Sequence, residues 1–308
     1  MQNKFIFIRA ALLLGCFKCA YAAIDDQAAL SGNDANSPPQ EGNFALSAPQ
    51  QPGPFLSFGQ TLVDRNDVQI QYSDYTVVPQ SSGGSNRNIA VTYGFSDTTD
   101  VYLNFPVESS YGVRVTRSSG LGDVLFQLEH AFYTAGNRKY QDQATVVGAI
   151  TLPLQDASSL AKRNNPGQLV GYGAPVYFVG ATYNRTYVDW LAFASPGVLL
   201  TTVADHIQLG SQVFYQAGLG RVIKSVSNKY IFSGLLEFEG QYTAKDKFFG
   251  DSLANTGGDI IFLSPSLWLS TQHLILQVGV SFPVVQHLNG NQAKSDYALA
   301  AGVTWTIT

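Results

Sequence analysis

The chain has 308 residues, 13% of them charged and 45% hydrophobic, with a formal net charge of −4. That acidic balance excludes the basic footprint of a nucleic-acid binder, and the charged fraction falls well below the roughly 25% of an ordinary soluble domain. No apolar run reaches the 18 or so residues of a membrane helix, yet Tyr (16) and Phe (19) are abundant.

Residues 1–22 read as an export signal. Lys4 and Arg9 give the positive start, residues 10–17 a short apolar stretch, and Ala20-Tyr21-Ala22 a small-x-small cleavage site. Leu13-Leu14-Gly15-Cys16 offers a competing reading, a lipoprotein site that would acylate Cys16. Cleavage after Ala22 removes Cys16 and Cys19, which leaves no disulfide framework and no cysteine metal site. It also leaves 15 basic against 22 acidic side chains, a formal charge of −7.

Residues 23–54 are rich in Ala, Ser, Asn, Gln and Pro, with breakers at Ser37-Pro38-Pro39-Gln40 and Pro49-Gln50-Gln51-Pro52-Gly53-Pro54. Such a stretch lacks the apolar content that offsets the entropy of folding. It reads as a disordered periplasmic leader, with a plug or partner-binding tail as the alternative. A barrel domain follows over 55–308, its first residues, 55–63, being ambiguous.

From Asn66 onward apolar residues alternate with polar or small ones. Val68, Ile70 and Tyr72 open the pattern, then Ile89, Val91, Tyr93 and Phe95, then Val101, Leu103 and Phe105 after a tight turn at 96–99. Val124, Phe126, Leu128 and Phe132 follow, and segments at 140–152, 171–183 and 187–199 continue in kind. Next come 207–219, with Val213, Tyr215 and Leu219 on one face, and 230–242, with Phe232, Leu236 and Phe238. Segments at 259–269 and 274–285 precede a last one carrying Tyr297, Leu299, Val303, Trp305 and Ile307. A period of two excludes an amphipathic helix, which needs 3.6.

These twelve segments are joined by connections that are alternately long and short, the pattern of strands running up and down across a boundary with two different sides. Nine to thirteen residues per segment exceed the five or six usual in a soluble sandwich or barrel and match the roughly 9–11 that cross a bilayer at a tilt. Aromatics gather near the short turns: Tyr93, Phe95 and Tyr102; Phe132, Tyr133 and Tyr140; Tyr183, Tyr187 and Trp190. The expected fold is all-β, an antiparallel transmembrane β-barrel of about 12 strands in the bacterial outer membrane, with both termini periplasmic. Gly302-Val303-Thr304-Trp305-Thr306-Ile307 is similar to the signature by which such barrels reach their assembly machinery, through Gly302, Trp305 and Ile307, although the chain ends one residue later in Thr308.

Ser119-Gly120-Leu121-Gly122-Asp123-Val124, continuing through Leu128, resembles a strand-opening motif of the phenol meta-pathway degradation family, whose members are also called transporters. Tyr93-Gly94-Phe95-Ser96-Asp97 resembles its first hairpin, and residues 283–292, from Pro283 through His287 to Gln292, its penultimate strand and final loop. Where the first motif continues with Lys-Tyr, this chain has Glu129-His130. The resemblance spans about residues 66–307. It implies an outer-membrane channel for aromatic or other small hydrophobic compounds, with no degradative chemistry.

No residue pattern calls for catalysis or a cofactor. His130, His206, His273 and His287 lack the His-x-Ser pattern of barrel lipases, and no local base activates a serine. Asp97 and Asp100 read as turn acids. The functional surface is therefore the lumen, where the register turns Gln127, Glu129, Gln208 and Gln212 inward, with Gln216, Glu237, Glu239 and Gln241. Such a wall binds no metal, disfavours small anions and suits diffusion of small, mostly neutral or hydrophobic solutes. The alternative is a non-conducting barrel that binds partners at the cell surface or serves a structural role, using outer loops around 108–120, 153–170 and 244–258. The other expected partner is outer-membrane lipid.

Overall fold

The computed structural model describes residues 38–59, 62–78, 85–111, 117–154, 172–204 and 206–308. The export signal, the lipoprotein alternative and residues 23–37 lie outside the described residues, as does most of the 153–170 loop.

The first half of the wall comprises β1 (Val68–Val78), β2 (Ser85–Ser96), β3 (Thr99–Tyr111), the short β4 (Arg117–Leu121), β5 (Val124–Gly136) and β6 (Tyr140–Leu152). β7 (Val176–Tyr187), β8 (Trp190–Thr201), the short β9 (Ile207–Gln208), β10 (Gln212–Val226) and β11 (Tyr230–Thr243) follow. The short β12 (Lys247–Phe248) and β13 (Asp251–Ser252) precede β14 (Gly258–Thr271), β15 (Leu274–Leu288) and β16 (Tyr297–Ile307). The twelve long strands pair antiparallel in chain order, and β1 closes on β16 from Val68↔Ile307 to Val78↔Tyr297. Closure removes every long sheet edge, which is what lets strands cross a bilayer.

Alternation sorts the two faces. Leu219 is 60% exposed and Val278 52%, and both belong to an outward apolar surface with Ile70, Tyr72, Val179 and Trp305. On the inner face Ser195, Ser233, Glu237 and Ser264 are fully buried. A soluble protein does not leave an apolar belt of this extent in water; facing lipid, it needs no cover. This is a twelve-stranded outer-membrane β-barrel. The five short connections, after β2, β5, β7, β10 and β14, lie at one end together with the start of β1 and the end of β16. By the usual rule of short inner turns and long outer loops, that end is periplasmic.

Three readings of the sequence need correction. The segment 207–219 is not one strand: Ile207–Gln208 leaves the wall to pair with Lys247–Phe248 in a three-stranded sheet of the outer loops. The cause is at Gly210, whose N–H donates to Asp246 Oδ1 (2.7 Å), and where a Cβ would lie 1.9 Å from the Ala244 carbonyl oxygen. Asp100 is not a turn acid but the second residue of β3, 1% exposed on the inner face. Tyr102, two residues on, lines the lumen and so does not belong to the aromatic belt. Tyr187 and Trp190 do stack at the periplasmic rim, with ring centroids 4.1 Å apart.

The aspartate of the Gly122-Asp123 motif ties two outer connections together. Its Oδ2 accepts the N–H groups of Tyr172 (2.5 Å) and Gly173 (3.3 Å), at the far end of the long loop before β7. Burial pushes its carboxyl above the ordinary range, and those N–H donors pull the other way.

Candidate functional site

The lumen is occupied by the chain itself. Residues 38–59 run along the inner wall with two single 3-10 turns, Gly42–Phe44 and Ala48–Gln50, and no strand. At the periplasmic end the Asn43 N–H donates to the Val188 carbonyl (2.7 Å) and Asn43 Nδ2 to the Tyr187 carbonyl (2.9 Å). The Asn228 N–H, in the turn after β10, donates to the Ala45 carbonyl (2.8 Å). Ala45 and Leu46 pack on Ile231. The segment then crosses the mouth to the opposite wall, where Gln50 Nε2 donates to Thr306 Oγ1 on β16.

Residues 55–58 are held halfway up the barrel. Glu237, in the middle of β11, is fully buried, and both its oxygens accept backbone N–H groups. Phe55 donates to Oε1 (3.1 Å), Ser57 to Oε2 (2.9 Å), and Leu56 to both, at 3.3 and 3.1 Å. Three successive N–H groups converging on one carboxylate form an anion nest, here with the protein supplying both halves. One residue on, the Phe58 N–H donates to Gln216 Oε1 (3.0 Å) on β10. A proline-rich segment has few ladder partners of its own, and these two side chains meet the backbone donors that burial would otherwise orphan.

Inner-face glycines make room for the segment's side chains. A Cβ at Gly180 would lie 2.6 Å from the Phe58 ring, and one at Gly197 2.9 Å from that ring and 2.7 Å from Phe178. Phe58 meets Phe178 edge-on, with centroids 4.8 Å apart, and Phe214 at 6.3 Å. On the other side, Cβ atoms at Gly279 and Gly302 would come within 3.3 and 3.2 Å of the Phe55 ring. At the periplasmic exit a Cβ at Gly94 would lie 2.0 Å from the Asp64 carbonyl oxygen. The chain then turns through Asn66, whose N–H donates to the Gly94 carbonyl (2.8 Å), into β1.

The residues that sequence placed in the lumen divide accordingly. Glu237 and Gln216 bind the internal segment. Glu129 is buried on β5 and accepts from Gln127 Nε2 (2.6 Å). Glu239 is buried two residues above Glu237, and Gln241 Nε2 donates to Thr243 Oγ1 (3.2 Å). Gln212 opens β10 on the inner face, opposite Leu199. Gln208 alone is off the wall, with its Nε2 donating to the Thr201 carbonyl (3.2 Å). The reading missed residues 55–58 and the inner glycines; the signal for the latter was glycine recurring on the polar face of strands.

Between the internal segment and the wall of β1, β3, β5 and β14–β16 lies a cavity of about 260 Å³. Its lining mixes aromatic and apolar side chains, such as Phe55 and Trp268, with neutral amides, and includes no charged side chain. Among the described residues no group of His, Cys, Asp and Glu could hold a metal ion.

No protein-family model matches the chain, and no curated protein matches it in sequence. Solved structures do. The COG4313 outer membrane channel from Pseudomonas putida F1 is similar at TM-score 0.60 and 12% identity, over 80% of this chain and 97% of that one. The NanC porin follows at TM-score 0.46 and 9% identity (77% and 98% covered). LpxR from Salmonella typhimurium stands at 0.44 and 6% (78% and 99%). At these identities the likeness is one of fold, and only the first is close enough to argue from.

Proposed function

We propose that the protein is an outer-membrane channel for small, uncharged solutes, closed at rest by residues 38–59 acting as an internal plug, and that it is not an enzyme. The observation that carries this reading is the Glu237 nest. A carboxylate buried in the middle of a barrel, spent entirely on seating the chain's own backbone, has no use in a filled structural barrel that small apolar side chains could pack as well. Its use is to hold a removable part. The inner acids Asp100, Glu129 and Glu239 disfavour anions along the same conduit, and the fold's likeness to the COG4313 channel is in keeping with transport. The resemblance to the phenol meta-pathway degradation family adds the expectation that the solutes carry a ring or other apolar body.

The test is conductance in planar bilayers and solute uptake into liposomes, for the mature chain and for a variant lacking residues 38–59. The plugged-channel reading expects low, intermittent conductance from the first and a steady, weakly cation-selective conductance from the second. Silence and no uptake from both, with correctly folded barrels, would reject it in favour of a surface-binding barrel. One outer feature fits that second reading: the loop sheet of β9, β12 and β13 presents Phe248 and Phe249, with Phe249 65% exposed and stacked on His206 at 4.2 Å.

A further inference from the structure

We infer that the 260 Å³ cavity beside the plug is a binding site for a single small, uncharged ring compound that carries a hydroxyl or similar hydrogen-bonding group. This deepens the channel reading and rests on it for its biological use, but the site itself can be tested without any flux.

Three observations fix the ligand's chemistry. The first is size. An apolar cavity of roughly 150 Å³ admits a benzene ring, so about 260 Å³ has room for one ring and its substituent. The second is charge. No Asp, Glu, Lys, Arg or His lines the cavity, so an ionised ligand would be buried with no counter-charge, at a large cost in desolvation. The third is unfilled hydrogen-bonding capacity. The amides of Gln71 and Gln277 both line the cavity, and among the described residues neither side chain makes a hydrogen bond, although Gln277 is only 5% exposed. Each amide offers two donors and an acceptor. A bare hydrocarbon would seal those groups away unmet, at the full cost of their desolvation; a hydroxyl meets both kinds.

The apolar half of the site is in place as well. Phe55 and Phe58 come from the plug, and Leu125, Trp268 and Ile275 from the wall, so a ring has flat apolar surfaces on two sides. Because plug and wall share the lining, a ligand here touches the same residues 55–58 that Glu237 and Gln216 hold from the other side. Occupancy and plug seating are therefore coupled.

Trp268 supplies the readout. It is 6% exposed on the inner face, whereas Trp190 and Trp305 are on the outer surface at 42% and 52%, so Trp190→Phe with Trp305→Phe leaves a single lumenal reporter. In proteoliposomes of this variant, benzyl alcohol is the probe, toluene its partner without the hydroxyl, and benzoate its charged counterpart. The expected result is a saturable change in Trp268 emission with benzyl alcohol, at least tenfold weaker with toluene and none with benzoate. Gln71→Leu and Gln277→Leu together weaken benzyl alcohol at least tenfold while the barrel keeps its heat-modifiable mobility; Gln71→Leu alone, at a less buried position, does so in part. A non-saturable response, equal responses to toluene and benzyl alcohol, or affinities unchanged by both leucines would overturn the site and leave a cavity that holds water only. Binding without flux from the plug-deleted variant would instead refute the channel and keep the site.

Discussion

The internal segment meets the two sides of the barrel in different ways. Toward β10 and β11 it is bonded: Glu237 and Gln216 between them accept from four consecutive backbone N–H groups, and Ala45 and Leu46 pack on Ile231. Toward β1, β5 and β14–β16 it is bonded only near the periplasmic mouth, by Gln50 to Thr306 and by Gln69 to the Pro49 carbonyl; halfway up it is merely apposed, with Phe55 set over Gly279 and Gly302 and the 260 Å³ cavity beside it. The bonded side fixes where the segment sits. The apposed side leaves space for something else, and does so with amides whose capacity is unspent. A plug glued all round would be a permanent filling; one whose upper part, residues 55–58, is bonded to a single wall can swing that part away from the other.

The sharpest way to break that asymmetry is Glu237→Ala. Removing the carboxylate orphans three buried N–H groups, at a cost of about 1–3 kcal/mol each, against a segment with little else to hold residues 55–57. We expect conductance to rise at least tenfold, close to the level of the variant lacking 38–59, with the barrel itself still heat-modifiable. Unchanged conductance would mean that the apposed wall carries the seating. Glu237→Gln keeps one acceptor oxygen and should fall between.

Next in size is Gly197→Leu. A Cβ there already meets the Phe58 and Phe178 rings below 3.0 Å, so a full side chain must expel Phe58 from its recess. The expected conductance increase is several-fold, smaller than for Glu237→Ala because the nest at 55–57 survives. Phe58→Ala on its own should loosen the segment less, since it removes packing without adding a clash, and the double variant Gly197→Leu with Phe58→Ala should recover part of the wild-type closure. Gln216→Leu removes one acceptor, for the Phe58 N–H, and should change conductance by about twofold. The ordering across these variants is the test, because it ranks the Glu237 nest above the Phe58 recess, and the recess above the single bond to Gln216.

The barrel was legible because its evidence is repeated. Each strand alternates with a period of two, and a one-residue slip would turn Leu219 and Val278 inward together with all their neighbours, so twelve weak signals agree on one register. The inward places of Gln127, Glu129, Gln216, Glu237, Glu239 and Gln241 follow from that register alone. What the sequence could not show is what those residues face. Residues 38–59 have no periodicity, and their burial is decided by a long-range match: Phe58 is 122 residues from Gly180 and 158 from Gln216. Composition alone reads such a stretch as disordered, since it cannot bury itself, and nothing local announces a ready-made tunnel that will bury it. Gln208 failed for the opposite reason, a local alternation that continued in phase while Gly210 and Asp246 drew the chain out of the wall.

The smallest effect expected is at the periplasmic exit, where the segment descends into β1. Asp64 is an exposed residue there, yet the desolvation its carboxyl meets, with Asp67 and Asp97 nearby, pushes it above the ordinary range. Asp67 is raised as well, mainly by partial burial, with His273 pulling it back. A carboxyl whose folded pKa lies above its unfolded one holds its proton more tightly in the folded state. Its contribution to stability is then complete at low pH and is lost as pH rises from the unfolded pKa through the folded one. Seating of residues 62–67 should therefore tighten on acidification from pH 7 toward 4, read as slower amide hydrogen exchange of Val63 and Asn66 after correction for the intrinsic rate. Asp64→Asn should be protected at both pH values, and plug-dependent conductance should shift by less than twofold, because the latch at Glu237 lies far up the barrel from this corner. A large conductance change in Asp64→Asn would relocate the decisive hold from the bonded wall to the exit turn.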